Sequence, residues 1–383
     1  MLRLIFALAL PLALLSNTLP GATPDRFGND AARFLGGLPG TEGSPFKALE
    51  EDAVWQNHKE KLDAAFGTEK TRLTKQVDFQ KADIAPNIKA KNCFYPFGGA
   101  DSWNVTTFFP DCEKYLLVGL EPAGTLSFAE SFLGKSRDTM AGRLGAFRGS
   151  LQSILSNSFF VTREMDGDYR GQKTDGLLVP MLVLLIRHHD VTIEKVSYLW
   201  ITDSGTTVER DPKDKTIPRA TNKMVEITFK KAGGTVSQKM YFTTANLGPT
   251  TSELRGYPGL QMNSGLLQFL DTFGRVNTFM KATSYMPHRP EFTLIRNNIL
   301  ARSDLILQED TGIPLKYYSS DDWDLRLFGA YMTPIKIFAG YRQPDMVKAY
   351  KEEGRAKPLG FAIGYGSKRQ ASGMQMAVRK TKS

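Results

Sequence analysis

Met224-Val225-Glu226-Ile227-Thr228-Phe229-Lys230 and Val236-Ser237-Gln238-Lys239-Met240-Tyr241-Phe242-Thr243 flank the connector Lys231-Ala232-Gly233-Gly234-Thr235. Both arms alternate in side-chain character with period two, and the Gly-Gly pair supplies the backbone freedom of a tight turn. The segment predicts a β-hairpin. Upstream, Val191 to Thr202 is strand-like, as are Lys114 to Leu120 and Thr106 to Phe109, separated by the turn residues Pro110-Asp111. Cys93 to Asp101 reads as a strand running into a tight loop. Downstream, Asp304 to Gln308, Leu325 to Tyr331, Gly360 to Tyr365 and Met374 to Arg379 are further strands, the last two as a closing antiparallel pair.

Helices are predicted around these strands. Ser44-Pro45 is a good helix start, and Phe46, Leu49, Ala53, Leu62 and Phe66 keep helical spacing up to Gly67. A second helix over 69–83 would complete an N-terminal helical hairpin. Residues 126–158, 174–188, 264–284 and 291–302 are also read as helical; the third carries Leu266, Leu267, Leu270, Phe273, Val276 and Met280 largely on one stripe. Strands and helices do not alternate regularly. The predicted fold is α+β, a largely antiparallel sheet with packed helices. The organisation expected is a signal over 1–22, an irregular segment and hairpin over 23–88, and a main body over 89–383.

The signal reading rests on Met1-Leu2-Arg3, a short positive start, followed by the apolar run Leu4 to Leu15. That run has the length of a secretory core and falls short of the ~20 residues of a membrane span. Cleavage is expected after Ala22, although Leu19 stands where a small residue is preferred. The other apolar run, Gly176 to Ile186, is short and contains Pro180, so it predicts a buried helix and no transmembrane span in the mature chain. Export to the periplasm or the outside places Cys93 and Cys112 in an oxidising compartment, where a disulfide is expected.

Of 383 residues, 41% are hydrophobic and 23% charged, the balance of a folded globule. The net charge of +9 is scattered, densest in Lys368, Arg369, Arg379, Lys380 and Lys382. Nucleic-acid binders show a basic patch interleaved with aromatics or a known module; neither is present, and no nucleic-acid partner is predicted. No spacing of ligands suggests a metal, and no glycine-rich run carries a phosphate-loop pattern, so no cofactor is predicted.

Four titratable residues are candidates for chemistry. Asp101 follows Gly98-Gly99 in a loop after a strand, and Glu121 follows the apolar strand Tyr115 to Leu120. Asp101 is either an exposed functional carboxylate or an acceptor for its own turn, and Glu121, beside the core, is either a general acid with a raised pKa or an acceptor for backbone N–H groups in its turn. Facing each other, they would suit glycoside cleavage. His288, between Pro287 and Arg289-Pro290, is the best-placed histidine for proton transfer or else stabilises a kink. Asp310, in Gln308-Glu309-Asp310-Thr311-Gly312, ends a strand where Arg296 and Arg302 are expected to pair with the acids. Tyr95, Gly98, Gly99 and Arg296 are the candidate ligand-binding residues. His188-His189-Asp190 is read as a cationic helix cap. Ser284 lacks a nucleophile-elbow pattern.

Tyr95-Pro96-Phe97-Gly98-Gly99-Ala100-Asp101, Thr107-Phe108-Phe109-Pro110-Asp111 and Gly119-Leu120-Glu121-Pro122-Ala123-Gly124 resemble elements of a family of exported bacterial proteins of unknown function. The likeness continues at Ser284-Tyr285, His288 and Ile306 to Leu315. Gly98-Gly99-Ala100 stands where that family more usually has Ser-Gly-Pro, and the two cysteines are a further departure. The resemblance implies location and shape, without a mechanism. The expected function is an exported protein that binds a ligand or envelope component. The alternatives are a hydrolase using Asp, Glu and His, and an envelope structural or assembly factor.

Overall fold

Cys93-Phe94-Tyr95 and Tyr115-Leu116-Leu117-Val118 are apolar at every position, which a strand can be only when both faces of its sheet are covered. The computed structural model describes residues 26–99, 101–157, 175–214, 216, 222–248, 260–262, 264–369 and 371–381. The predicted signal lies outside them. The strands are β1 (Asn92–Pro96), β2 (Lys114–Gly119), β3 (Val191–Ile201), β4 (Thr207–Glu209), β5 (Asn222–Lys231), β6 (Ser237–Thr244), β7 (Val276–Met280), β8 (Ser303–Glu309), β9 (Trp323–Gly329), β10 (Ala356–Lys357) and β11 (Gly373–Arg379). They form one sheet of order β10-β9-β11-β8-β7-β1-β2-β6-β5-β3-β4.

The sheet is mixed, which corrects the expectation of a largely antiparallel one. Its centre, β8-β7-β1-β2-β6, is parallel throughout, with Cys93 opposite Tyr115 and Asn277 opposite Leu305. The flanks are antiparallel, β5, β3 and β4 beyond β6 and β11 and β9 beyond β8, up to the short edge strand β10, which lies parallel to β9. The predicted hairpin is present as β5 and β6, with Met224 opposite Thr243. Alternate residues of the central strands enter two separate cores. Cys93, Tyr95, Tyr115, Leu117, Phe279, Leu305 and Leu307 face one; Phe94, Leu116, Val118, Val276, Met280 and Ile306 face the other.

Helices α1 (Arg26–Leu35), α2 (Ala53–Phe79), α3 (Trp103–Phe108), α4 (Ser127–Glu130), α5 (Arg137–Asn157) and α6 (Leu178–His189) supply the first core; α7 (Gly265–Asp271) and α8 (Thr293–Arg302) supply the second, and α9 (Pro344–Lys351) precedes β10. α1 packs on α6 and β3, and α2 packs on α5. The apolar run of α6 is a buried helix, as expected, with Pro180 in its first turn. No helix among the described residues is long and apolar enough to cross a membrane.

Four local expectations are corrected. The helical hairpin is one helix, α2, extended by a π-helical turn over Gln80–Ile84; Gly67 sits within the helix, where a β-carbon would point into open space. Residues 106–108 belong to α3 and Phe109 ends it, because β1 and β2 are parallel and need a crossover that a hairpin turn cannot supply. The 264–284 helix stops at Asp271, and Gly274 turns the chain at φ +62° into buried strand β7. A short apolar run reads alike as buried strand or buried helix, so periodicity misled here. Residues 360–365 form no strand; β11 pairs instead with β8 and β9.

Cys93 on β1 and Cys112, just before β2, form a disulfide with Cα atoms 5.9 Å apart. It fits an oxidising compartment. Parallel pairing of β1 and β2 brings the two residues together at the amino ends of both strands. Replacing both by alanine is expected to lower stability by about 3 kcal/mol, the loop-closure value for a link of this span. Urea denaturation of the two proteins measures the difference.

Candidate ligand site at the carboxyl edge of the parallel strands

The chain runs from β1 to β2 and on to β6 in one direction, then returns to place β7 and β8 on the other side of β1. The carboxyl ends of β1 and β7 therefore send their loops apart. In open α/β sheets this reversal of strand order opens a crevice where ligands bind. Both loops carry backbone that side chains disfavour. Phe97 follows β1 at φ +59°, and Ala282, Ser284 and Tyr285 follow β7 at +50°, +53° and +56°. They make up four of the six non-glycine residues with positive φ among the described residues. Such conformations cost roughly 1–3 kcal/mol each and persist where the surroundings enforce them.

An ion pair ties the two loops. Asp101 and Lys281 are 3% and 2% exposed, and the Lys281 ammonium meets the Asp101 carboxylate. The Tyr95 hydroxyl donates to both Asp101 oxygens at 3.3 and 3.2 Å, and Asn104 Nδ2 donates to Oδ2 at 3.3 Å. Burial, reinforced by Asp101, raises the Tyr95 hydroxyl well above its ordinary pKa, so it stays a donor. Two glycines permit the close approach. A β-carbon on Gly98 would lie 2.7 Å from the Tyr95 ring, and one on Gly119 would lie 2.6 Å from the Gly98 carbonyl oxygen and 2.8 Å from Glu121 Oε2.

Glu121, 3% exposed, lies just past β2, and its Oε2 accepts from the Leu120 N–H at 3.1 Å. Glu309 ends β8 and Asp310 follows it. Glu309 Oε1 accepts from the Ala282 N–H at 2.8 Å and from the Thr311 hydroxyl, so it holds the strained loop after β7. Asp310 accepts from the Met332 N–H at 2.6 Å and from Gln375 Nε2 at 2.7 Å. Burial raises both acids above the ordinary carboxyl range, Asp310 well above it with Glu309 adding to the effect.

Beyond β7 the 3-10 turn Met286–His288 brings aromatic rings together. Tyr285 stacks on Tyr341 at 5.2 Å and 8°, and His288 meets both edge-on at 5.0 and 5.6 Å. Burial lowers the His288 pKa to about 4, against the opposing hydrogen bond to the Gly312 backbone, and its Nε2 has no partner among the described residues. The Ser284 hydroxyl bonds to the Tyr365 hydroxyl at 3.0 Å.

The four candidates Asp101, Glu121, His288 and Asp310 thus all lie past the carboxyl ends of parallel strands. No hydrogen bond joins Asp101, His288 and Asp310 to one another. Arg296 and Arg302 do not pair with Glu309 or Asp310. Arg296 is buried in α8, where it donates to the Pro287 carbonyl at 2.8 Å and lies 4.2 Å from the Tyr317 ring centre; Arg302 pairs with Asp271. α8 sits beneath the 286–292 turns, so its arginine holds that backbone. The cationic cap at the end of α6 is corrected too. His188 stacks on Trp103 at 4.7 Å, His189 Nε2 lies 2.7 Å from Thr106 Oγ1, and burial first of all keeps both neutral.

Sequence reasoning missed Lys281 and took Glu309 only as an ion-pair partner of Arg296 and Arg302. Lys281 follows the apolar run Val276 to Met280, a signal concealed by reading that run as helix. Among the described residues no three His, Cys, Asp or Glu side chains gather as metal ligands would. Comparison of the chain with models of known families, with curated protein sequences and with solved structures finds no match.

Proposed function

We propose that this is an exported protein that binds a small polar ligand in the crevice between the loops after β1 and β7. The observation that carries the reading is the enforced left-handed backbone of Phe97, Ala282, Ser284 and Tyr285 on the two sides of the strand-order reversal. Strain of this kind gathers where a fold holds groups ready for a ligand. The buried pair Asp101–Lys281 and the contact from Glu309 to the Ala282 N–H then keep both loops in place before any ligand arrives.

Acid–base hydrolysis is the weaker reading. It needs two titratable groups with free faces towards one substrate, whereas Asp101 is neutralised by Lys281 and both Asp310 oxygens accept protein donors. A fragment screen of the mature protein by amide NMR tests the proposal. Hits are expected to shift the amides of 97–101 and 281–285. Hits confined to the amino ends of β1 and β7 would remove it.

A further inference from the structure

Ile337 is 78% exposed, more than any other large apolar side chain among the described residues. It belongs to Lys336-Ile337-Phe338-Ala339-Gly340-Tyr341-Arg342, on the way from β9 to α9. Residues Lys336–Tyr341 form a 3-10 turn in which no residue is buried. Two of its side chains turn inward as a base. The Phe338 ring lies 5.3 Å from that of Tyr285 and 6.1 Å from that of Tyr365, and Tyr341 carries the Tyr285 stack. Both are half-buried, and Ile337 stands over them in water.

Four exposed cations lie around the same base. Lys336 opens the turn and Arg342 follows it. Arg289 Nε donates to the Tyr341 hydroxyl at 2.9 Å. Lys316 lies close enough to His288, whose ring is 5.6 Å from that of Tyr341, to lower its pKa. The exposed acids nearest to these cations in sequence are Glu291 and Asp345, so positive charge prevails.

A single exposed apolar residue is ordinary on a protein surface. An apolar tip set among lysine and arginine over half-covered aromatics is a different arrangement. It combines apolar insertion with attraction to anionic headgroups, the two signals that reversible membrane binding needs together. Tyrosine, apolar in its ring and polar at its hydroxyl, suits the headgroup level beneath. A soluble polyanion would use the cations and leave Ile337 idle.

We infer that this turn docks the protein on an anionic lipid bilayer, with Ile337 inserted at the acyl boundary and Arg289, Lys316, Lys336 and Arg342 at the lipid phosphates. Docking there is independent of ligand binding in the crevice, so either can fail alone.

Cosedimentation of the mature protein with vesicles tests it, comparing phosphatidylcholine alone with equal parts of phosphatidylcholine and phosphatidylglycerol. Binding to the anionic vesicles is expected to be at least tenfold tighter. It should weaken at least tenfold in about 1 M salt, where screening acts over about 3 Å. Ile337→Ser should weaken it about tenfold, the low end for burying such a side chain. Lys336→Gln and Arg342→Gln should each weaken it about fivefold. These three positions are exposed, so the variants are expected to fold as the wild type does. Val236→Ser, at a position 66% exposed between β5 and β6, controls for exposure alone and should bind unchanged. Absence of binding to the anionic vesicles, or binding unmoved by salt, would overturn the inference. So would unchanged binding by Ile337→Ser, which would reduce the attraction to the net charge of +9. Self-association abolished by Ile337→Ser, without vesicle binding, would assign the face to a second copy of the chain and overturn it too.

Discussion

Lys281→Met is expected to destabilise the protein by about 3–5 kcal/mol, the effect of removing one partner from a buried ion pair. Methionine fills much of the lysine's volume, so the loss arises from electrostatics more than from a cavity. Asp101 would remain buried beside Tyr95 and Asn104, both donors, with its countercharge gone. Adding Asp101→Asn should recover most of the loss, because the remaining group is then neutral. Urea denaturation of the wild type, both single variants and the double variant closes the cycle. A Lys281→Met protein within 1 kcal/mol of wild type, by the same benchmark, would show that the pair does not tie the loops.

Acidification is the second large effect. All four histidines are held neutral: His58, His189 and His288 with pKa values lowered to about 4, and His188 well below its ordinary value, burial being the first cause in each. His58 is fully buried between the Leu35 carbonyl, 2.9 Å from Nε2, and Arg148, 3.0 Å from Nδ1, which leaves no acceptor for a second ring proton. A histidine whose folded pKa is depressed contributes stability above its unfolded value near 6.5, and that stability is lost as the pH falls towards 4. The loss is about 3 kcal/mol for His58 alone by pH 4, and similar for His189.

Glu309 and Asp310 act with the opposite sign. Their raised pKa values favour the folded state at low pH and fade as pH rises through those values. The histidines lose stability over this window, and a typical domain holds only about 5–15 kcal/mol in all. Stability measured by urea at stepped pH is therefore expected to fall steeply between 6.5 and 4, with protons taken up on unfolding. A flat profile over this window would mean that the histidines charge in place.

Much of this architecture was legible before any coordinates. The hairpin of β5 and β6, the buried helix α6 and the strand cores of β1, β2, β8 and β11 follow from alternation, apolar runs and turn residues. So does the disulfide, from two cysteines close in sequence and the expectation of an oxidising compartment. The loop acids Asp101, Glu121 and Asp310 stood out because each follows an apolar strand, and all three do lie at one edge of the sheet.

Strand direction was not legible. The apolar runs of β1, β2, β7 and β8 carry the same composition whether their neighbours are parallel or antiparallel, and Val276 to Met280 serves equally as helix stripe or buried strand. By itself the amino-acid order determined which segments are apolar, where the chain turns and which acids sit in loops. Only the tertiary structure decided that β7 returns beside β1, which sets Lys281 against Asp101 and Glu309 under Ala282. The physical reason is that pairing between strands nearly two hundred residues apart depends on how both faces of a shared sheet are covered, a property of the whole chain that no local pattern records.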